Sequence, residues 1–174
     1  MRIVVVGPSG SGKTWISQRL AETLDVPHVE LDALHHGPNW SSCGPEVLRE
    51  RVLAATQGNG WVVDGTYRNL LGDLVFERAE HVAWVDLPVP LVLRRLLRRT
   101  YLRKKHDVEL WAGNREGPWT ESLRYLIWPA LRRAYENRRL LPVVLAQHPQ
   151  LEVHRLRSDR AVRAFIDSVA ARRS

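Results

Sequence analysis

A chain of 174 residues has room for one compact domain with a sizeable core, and its 44% hydrophobic and 26% charged residues are ordinary for a soluble globular protein. No apolar run approaches the roughly 20 residues that a membrane-spanning helix needs. The one cysteine, Cys43, excludes an intrachain disulfide, so we expect a reducing, cytoplasmic environment.

Five short apolar runs alternate with longer helical segments along the chain. Their length, valine content and Gly or Pro boundaries predict strands buried on both faces, and the alternation predicts a parallel sheet covered by helices. The predicted strands are Ile3–Val6, His28–Leu31, Trp61–Val63, His81–Leu87 and Leu151–Leu156. The predicted helices are Thr14–Thr23, Pro45–Gln57, Leu91–Leu102, a stretch around Glu121–Arg139 and Arg160–Ala171. The first run continues into Gly7 without a cleavage-type site, so we expect a strand there rather than a signal peptide.

The stretch GPSGSGKT, Gly7–Thr14, has the fixed positions of the Walker A phosphate-binding loop, between a predicted strand and a predicted helix. Its glycines let consecutive backbone N–H groups surround one anion, and the helix N-terminus adds partial positive charge. Lys13 is expected to reach the β- and γ-phosphates of ATP, and Thr14 to ligate Mg²⁺. The predicted nucleotide-binding residues here are Gly7, Pro8, Ser9, Gly10, Ser11, Gly12, Lys13, Thr14 and Trp15.

The second predicted strand is followed by Asp32. Small-molecule kinases of the shikimate and gluconate type carry a carboxylate at this point that holds an acceptor hydroxyl, and the resemblance implies that role for Asp32. A helix N-cap or turn residue is the alternative. His35 and His36 suggest a metal site, but adjacent side chains rarely converge on one ion. Trp40, Tyr67 and the Pro38-Asn39 turn are expected either to stack a base or to pack a smaller ring of the acceptor.

The stretch WVVDGTYRN, residues 61–69, ends the third predicted strand with Asp64, and Gly65 and Arg68 follow. It resembles the Asp-Gly-Phe-Pro-Arg sequence of nucleoside monophosphate kinases, with Thr66-Tyr67 in place of Phe-Pro. The resemblance implies that Asp64 binds the metal and that Arg68 binds the acceptor's phosphate. A strand end followed by a turn and a surface arginine is the alternative.

The helix after the fourth strand carries two arginine pairs spaced four residues apart, Arg94 with Arg98 and Arg95 with Arg99. Residues i and i+4 share a helix face, so either pair can point into one cleft. The same kinases place one such arginine near adenine and one on the phosphates, which implies these roles for Arg95 and Arg99. Arginines there stabilise charge on the oxygens of the transferred phosphoryl group. A solvated basic face is the alternative.

The net charge of +7 is concentrated in one segment. Residues 94–139 contain 13 Lys and Arg against 5 Asp and Glu, an excess of +8 that leaves about −1 elsewhere. Such a block is typical of a nucleic-acid-binding patch, of a phosphate-binding segment, or of a solvated helix face. Within it, residues 103–118 are polar and irregular, with Trp111 and Trp119 at their edges, and we expect a lid that orders over a ligand.

The stretches LDALHHGPNW, WVVDGTYR, LWAGNRE and HPQLEVHRLRSDRAVRAF together resemble the adenylate kinase-like proteins labelled DNA topology modulation proteins. The resemblance implies a three-layer α/β P-loop fold with a five-stranded parallel sheet, in the order 2-3-1-4-5, and an arginine-rich helical lid. It implies one domain over residues 1–174, with an acceptor-binding segment at 33–59 and a lid at about 103–128.

The same resemblance implies further site residues. Gly113–Glu116 lies in the lid, from which Arg115 reaches the phosphates on closure, and Arg132 and Arg133 complete the phosphate site. Adenine packs near the loop of Arg157-Ser158-Asp159, although Ser158 or Asp159 would equally serve as the N-cap of the last helix.

Three functions remain open. The first is a kinase that transfers the γ-phosphoryl group of Mg²⁺-ATP to a small acceptor, either a nucleoside monophosphate or a hydroxyl compound. The second is a nucleotide-dependent DNA-binding protein that uses the basic segment, which is not favoured because the sequence has no helix-turn-helix, zinc finger or RNA-binding motif. The third is an ATPase without an acceptor. The sequence does not predict the oligomeric state.

Overall fold

A computed structural model describes residues 1–115, 117 and 128–172 of the chain. Its strands form one parallel sheet and are β1 (Arg2–Val6), β2 (His28–Glu30), β3 (Trp61–Asp64), β4 (His81–Val85) and β5 (Glu152–Leu156). The strand order is β2-β3-β1-β4-β5, so the predicted fold class and strand order are confirmed.

The central strand β1 shows why the sheet is buried on both faces. Its side chains alternate between two hydrophobic clusters, with Val4 and Val6 in one and Ile3 and Val5 in the other. Each cluster is covered by helices, which is why the strand reads as a continuous apolar run rather than an alternating one. The two clusters give the molecule its three layers.

Helices connect the strands and cover both faces. Those of the described residues are α1 (Lys13–Leu24), α2 (Leu31–His35), α3 (Pro45–Ala55), α4 (Arg68–Leu71), α5 (Leu74–Arg78), α6 (Val89–Lys105), α7 (Trp128–Leu145) and α8 (Asp159–Ala171), with short 3-10 turns at Pro38–Trp40 and Trp111–Gly113. None of these helices is long and apolar enough to cross a membrane.

Some boundaries differ from the sequence prediction. The short helices α2, α4 and α5 were not predicted, because four or five residues are too few to show a helical period. Helix α7 passes the predicted end at Arg139 and contains Pro142. Burial of Leu141 and Leu145 in the core offsets the backbone hydrogen bond that a proline removes. Glu116, Trp119 and the predicted helix start at Glu121 lie outside the described residues.

The phosphate-binding loop packs directly on α6. Gly10 has a φ of +85°, and a Cβ added there would lie 2.8 Å from the Val92 carbonyl oxygen and 2.8 Å from the Leu96 Cβ. Both the backbone conformation and the lack of space therefore require glycine. The loop and α6 are consequently held in close contact.

We predict that Gly10→Ala lowers the free energy of unfolding by about 1–3 kcal/mol, because the new methyl group forces the loop away from α6. Gly44→Ala is the matched control, since a Cβ at Gly44 meets nothing within 4 Å and its φ is −66°. Its effect should stay within about 0.5 kcal/mol. Urea unfolding of both variants measures this, and equal effects would contradict the packing argument.

Candidate active site

The loop between β1 and α1 is built to hold an anion. Gly12, with a φ of 91°, precedes the first residue of α1, and no side chain caps the helix start by a hydrogen bond. The first backbone N–H groups of α1 therefore remain for a ligand. Lys13 Nζ donates to the Pro8 carbonyl at 3.2 Å. Burial lowers the pKa of Lys13, while the nearby carboxylates of Asp64 and Asp32 act in the opposite direction.

The predicted metal-binding pair is assembled by the sheet. β3 lies next to β1, and Asp64, its last residue, accepts a hydrogen bond from the Thr14 hydroxyl at 2.5 Å. Gly65 then turns the chain with a φ of +96°, a conformation that favours glycine. A hydroxyl and a buried carboxylate are hard oxygen donors, so the two residues fit Mg²⁺.

A cleft of about 700 Å³ lies above these groups. It brings together the predicted residues Ser9, Gly10, Gly12, Lys13, Thr14, Trp15, Asp32, Trp40, Asp64, Arg95 and Arg99. It also contains residues that the sequence analysis did not assign to the site, namely Glu30, Arg103, Leu110, Trp111 and Gly117. Most of the phosphate loop, the metal pair and the predicted acceptor residues Asp32 and Trp40 thus share one cavity, whereas the predicted residues Gly7, Pro8, Ser11, Gly65 and Arg68 do not line it.

Helix α6 resolves which arginine pair faces the phosphate loop. Arg95 and Arg99 line the cleft and are partly buried, whereas Arg94 and Arg98 are exposed and do not line it. Arg103 lies one helical turn beyond Arg99 and lines the same cleft. Because Arg103 follows Arg99 by four residues, the same spacing that pairs Arg95 with Arg99 could have predicted that Arg103 faces the cleft.

A second cavity of about 560 Å³ adjoins the loop on the other side of Arg95. Trp15 and Asp159 line it, and Asp159 accepts hydrogen bonds from Arg95 at 2.7 and 2.8 Å. Ser158 caps α8 by accepting from the Ala161 N–H at 3.1 Å. Arg157, the predicted adenine-side residue, is exposed and does not line this cavity, because its side chain extends toward Asp86 at 4.0 Å.

Asp32 is held on the acceptor side of the cleft by Tyr67. Glu30 occupies the N-cap position of α2, so Asp32 lies within the helix and is not its cap. The Tyr67 hydroxyl donates to Asp32 Oδ1 at 2.6 Å. Burial, and secondly the hydrogen bond to Asp32, raise the pKa of Tyr67, which keeps its hydroxyl a donor. Tyr67 has a φ of 44°, a strained conformation of the kind found at functional sites.

The segment after α6 docks on the acceptor side through Asn114, which is buried. Its side-chain amide accepts from the Trp40 backbone N–H at 2.8 Å and donates to the Gly37 carbonyl at 2.9 Å. The Trp40 indole donates to the Arg115 carbonyl at 3.2 Å. Trp111 adds a hydrogen bond to Glu30, whose pKa is raised chiefly by burial. These contacts hold residues 111–115 against the acceptor side of the cleft.

Two predicted phosphate-binding arginines are paired outside the cleft. Arg68 Nε donates to Asp73 at 2.7 Å, and this hydrogen bond lowers the pKa of Asp73. Arg115 is exposed and paired with Asp107. Neither side chain lines the cavity, so the roles predicted for them stay predictions.

On α7, Arg132 and Arg133 are both exposed, and neither side chain lines the cleft. Arg132 is 72% exposed and pairs with Glu136 at 2.7 Å. The charge of Arg133 is a minor influence that acts to lower the pKa of Lys13 and of Tyr67, and for Tyr67 the larger effect of burial raises the pKa overall. The roles predicted for the two arginines stay predictions.

Comparisons with known proteins agree with this fold and loop. A scan against protein-family models found no match. Over 112 residues the chain is 31% identical to shikimate kinase of Corynebacterium efficiens, covering 53% of this chain and 62% of that protein. Over 134 residues it is 22% identical to adenylate kinase of a Cyanothece species, covering 61% and 69%. Both of these proteins are named as kinases, and each similarity covers only part of this chain.

The structure is also similar to the crystal structure of shikimate kinase from Bacteroides thetaiotaomicron. The TM-score is 0.52 at 18% sequence identity, covering 99% of this chain and 95% of the other. At this identity the similarity shows the fold. The chain spans about 62% of the length of the Corynebacterium efficiens relative.

We predict that Arg99→Ala weakens ATP binding by about tenfold or more, because a charge-assisted hydrogen bond to phosphate is worth about 1.5–3 kcal/mol. Arg94→Ala is the matched control, since it removes the same charge from the exposed face of the same helix. Isothermal titration with ATP at fixed ionic strength measures both. Equal losses would show that net charge, and not the cleft-facing arginine, sets the affinity.

Proposed function

We propose that the protein is a phosphotransferase that moves the γ-phosphoryl group of ATP to a hydroxyl group of a small acceptor. One observation carries the proposal: Lys13, the Thr14–Asp64 pair and Asp32 line a single cleft that also holds Arg95 and Arg99. Lys13 and the Thr14–Asp64 pair form a site for the phosphate donor, and Asp32 in the same cleft is a carboxylate suited to hold an acceptor hydroxyl.

The donor half of the cleft is the part next to the phosphate loop and Lys13. It would bind the triphosphate through backbone N–H groups of the loop and through Lys13. Arg99 would stabilise charge on the oxygens of the transferred group, whereas Arg95, which is paired with Asp159, would lie beside the adenine. Mg²⁺ would be held by Thr14 and Asp64 and would supply charge neutralisation on the phosphates. The adjoining cavity beside Trp15 and Arg95 is the position we assign to adenine.

The acceptor half of the cleft is the part lined by Glu30, Asp32, Trp40 and Trp111. There, the acceptor oxygen would attack the γ-phosphorus as the bond to the leaving ADP oxygen breaks. Asp32 would accept the proton of the attacking hydroxyl, and Tyr67 fixes the carboxylate for that task. The closed contact between Asn114 and Trp40 would limit access of water, the competing acceptor.

The contents of the acceptor half favour a hydroxyl compound over a nucleoside monophosphate. Two carboxylates, Glu30 and Asp32, and two indoles, Trp40 and Trp111, line it, and carboxylates repel a second phosphate. Arg68, which by resemblance would bind that phosphate, is paired with Asp73. The named relatives are kinases for two different acceptors and do not decide this point.

A DNA-binding function would need the basic residues on an exposed ridge. On α6, Arg95, Arg99 and Arg103 line the cleft, which supports phosphate binding within it, whereas Arg94 and Arg98 are exposed. The likeness to DNA topology modulation proteins stays an expectation from the sequence.

The proposal is tested by coupled measurement of ADP release with separate panels of small hydroxyl compounds and nucleoside monophosphates. At least one hydroxyl compound should raise turnover well above the rate in water alone. Stimulation by nucleoside monophosphates only would contradict the acceptor assignment, and no stimulation by either panel would indicate an ATPase.

We predict that Asp32→Asn lowers acceptor-dependent kcat by about 10²–10⁴-fold, because the general base is lost, while ATP affinity is retained. Asp167→Asn, an exposed carboxylate on α8, is the control and should leave kcat unchanged. Full activity of Asp32→Asn would remove Asp32 from the mechanism.

We also predict that Lys13→Ala abolishes phosphoryl transfer and that the variant still unfolds cooperatively, since Lys13 lies at the anion site and not in the hydrophobic core.

A further inference from the structure

Three potential metal ligands meet at the edge of the sheet opposite the phosphate loop. His81 begins β4, and Glu152 and His154 lie two residues apart in β5. His81 is in register with Glu152, and residues two apart in a strand project from the same face. The strands begin at this edge, whereas the phosphate loop follows the end of β1.

The distances among the three side chains fit a zinc ion. Glu152 Oε2 lies 3.3 Å from His81 Nδ1, Glu152 Oε1 lies 3.3 Å from His154 Nε2, and the two nitrogens are 3.5 Å apart. Ligand atoms about 2.0–2.1 Å from a tetrahedral Zn²⁺ are about 3.3–3.4 Å from one another. Each imidazole nitrogen thus lies near this distance from the other nitrogen and from one of the two Glu152 oxygens, and one ligand atom from each of the three residues lies within 4.8 Å of the others.

Packing fixes the two imidazoles while the carboxylate stays accessible. The side chains of His81 and His154 are 13% and 21% exposed, and that of Glu152 is 48% exposed. The His154 ring lies 4.5 Å from the Phe165 ring and 5.7 Å from the His81 ring, centroid to centroid. Two protonated imidazoles this close would repel each other, so the pair favours the neutral form that ligates metal.

Arg172 competes with a metal ion for the Glu152 carboxylate. Its guanidinium donates to both oxygens of Glu152, at 3.2 Å each, and its side chain is 50% exposed. Exposed ion pairs of this kind stabilise little, so a metal ion can displace the guanidinium from the carboxylate. Arg172 would lower the apparent affinity without blocking the site.

We propose that His81, Glu152 and His154 form a site for a divalent transition metal, with Zn²⁺ as the favoured ion. Three protein ligands leave a fourth position for water, and the ion would link the edge strand β5 to β4. Mg²⁺ and Ca²⁺ are not expected there, because they select oxygen ligands. The proposal is independent of the phosphotransferase assignment and of the Thr14–Asp64 pair.

The test uses the full chain without a histidine tag, stripped of metal by a chelator. Titration calorimetry with Zn²⁺ should show one site per chain that excess Mg²⁺ does not compete away. Co²⁺ should give the visible absorption of a tetrahedral N/O site. His81→Ala and His154→Ala should each weaken Zn²⁺ binding at least tenfold, and Arg172→Ala should tighten it several-fold.

Cys43→Ala is the matched control, because Cys43 Sγ lies 3.7 Å from His35 Nδ1 and is the competing soft ligand in the described residues. This variant should bind Zn²⁺ as the wild type does. Loss of binding in Cys43→Ala, unchanged binding in both histidine variants, or no binding by the wild type would each overturn the proposal. If a histidine variant does not unfold cooperatively without metal, Glu152→Gln and Arg172→Ala take its place in the test. Glu152→Gln should weaken Zn²⁺ binding, and Arg172→Ala should tighten it.

Discussion

Close packing between the phosphate loop and α6 is the constraint on which the rest of the cleft depends. Gly10 leaves no room for a Cβ between the loop and the helix, so the loop and the helix lie in direct contact. Arg95, Arg99 and Arg103 follow one another at helical intervals along α6 and line the cleft. The contact therefore places this face of α6, with its three arginines, beside the anion site. Arg94 and Arg98 on the same helix are exposed, so only part of the basic segment faces the cleft.

The strand order places the remaining groups beside that contact. β3 and β2 lie in succession on one side of β1, so their carboxyl ends bring Asp64 and then Glu30 next to the loop. Asp32 follows immediately and is fixed by Tyr67 from the turn after β3. Ligand sites of open parallel sheets lie at these carboxyl ends. Donor and acceptor halves of the proposed reaction thus arise from neighbouring strands.

Local patterns in the sequence predicted a parallel sheet covered by helices, the family resemblance implied its strand order, and the structure confirms both. The donor half of the site stays a prediction from fixed local spacing. The loop Gly7–Thr14 and Asp64 follow strands directly, so strand order alone brings them together. The acceptor half depends on contacts distant in sequence that no local pattern records. Tyr67 with Asp32, and Asn114 with Trp40, are separated by 35 and 74 residues. The arginine pairs of α6 show the same limit, because adjacent residues on a helix point to different faces and only tertiary packing determines that Arg95 and Arg99, and not Arg94 and Arg98, line the cleft.

The central claim is that the γ-phosphoryl group passes to a small hydroxyl acceptor. The most direct measurement incubates the protein with ATP that carries oxygen-18 in its γ-phosphoryl group, together with a mixture of small hydroxyl compounds and nucleoside monophosphates. The labelled products are then identified by mass spectrometry. The account predicts a phosphorylated hydroxyl compound that carries the labelled phosphoryl group and appears in step with ADP. Label found only in inorganic phosphate, or only in a nucleoside diphosphate formed from added monophosphate, would contradict it.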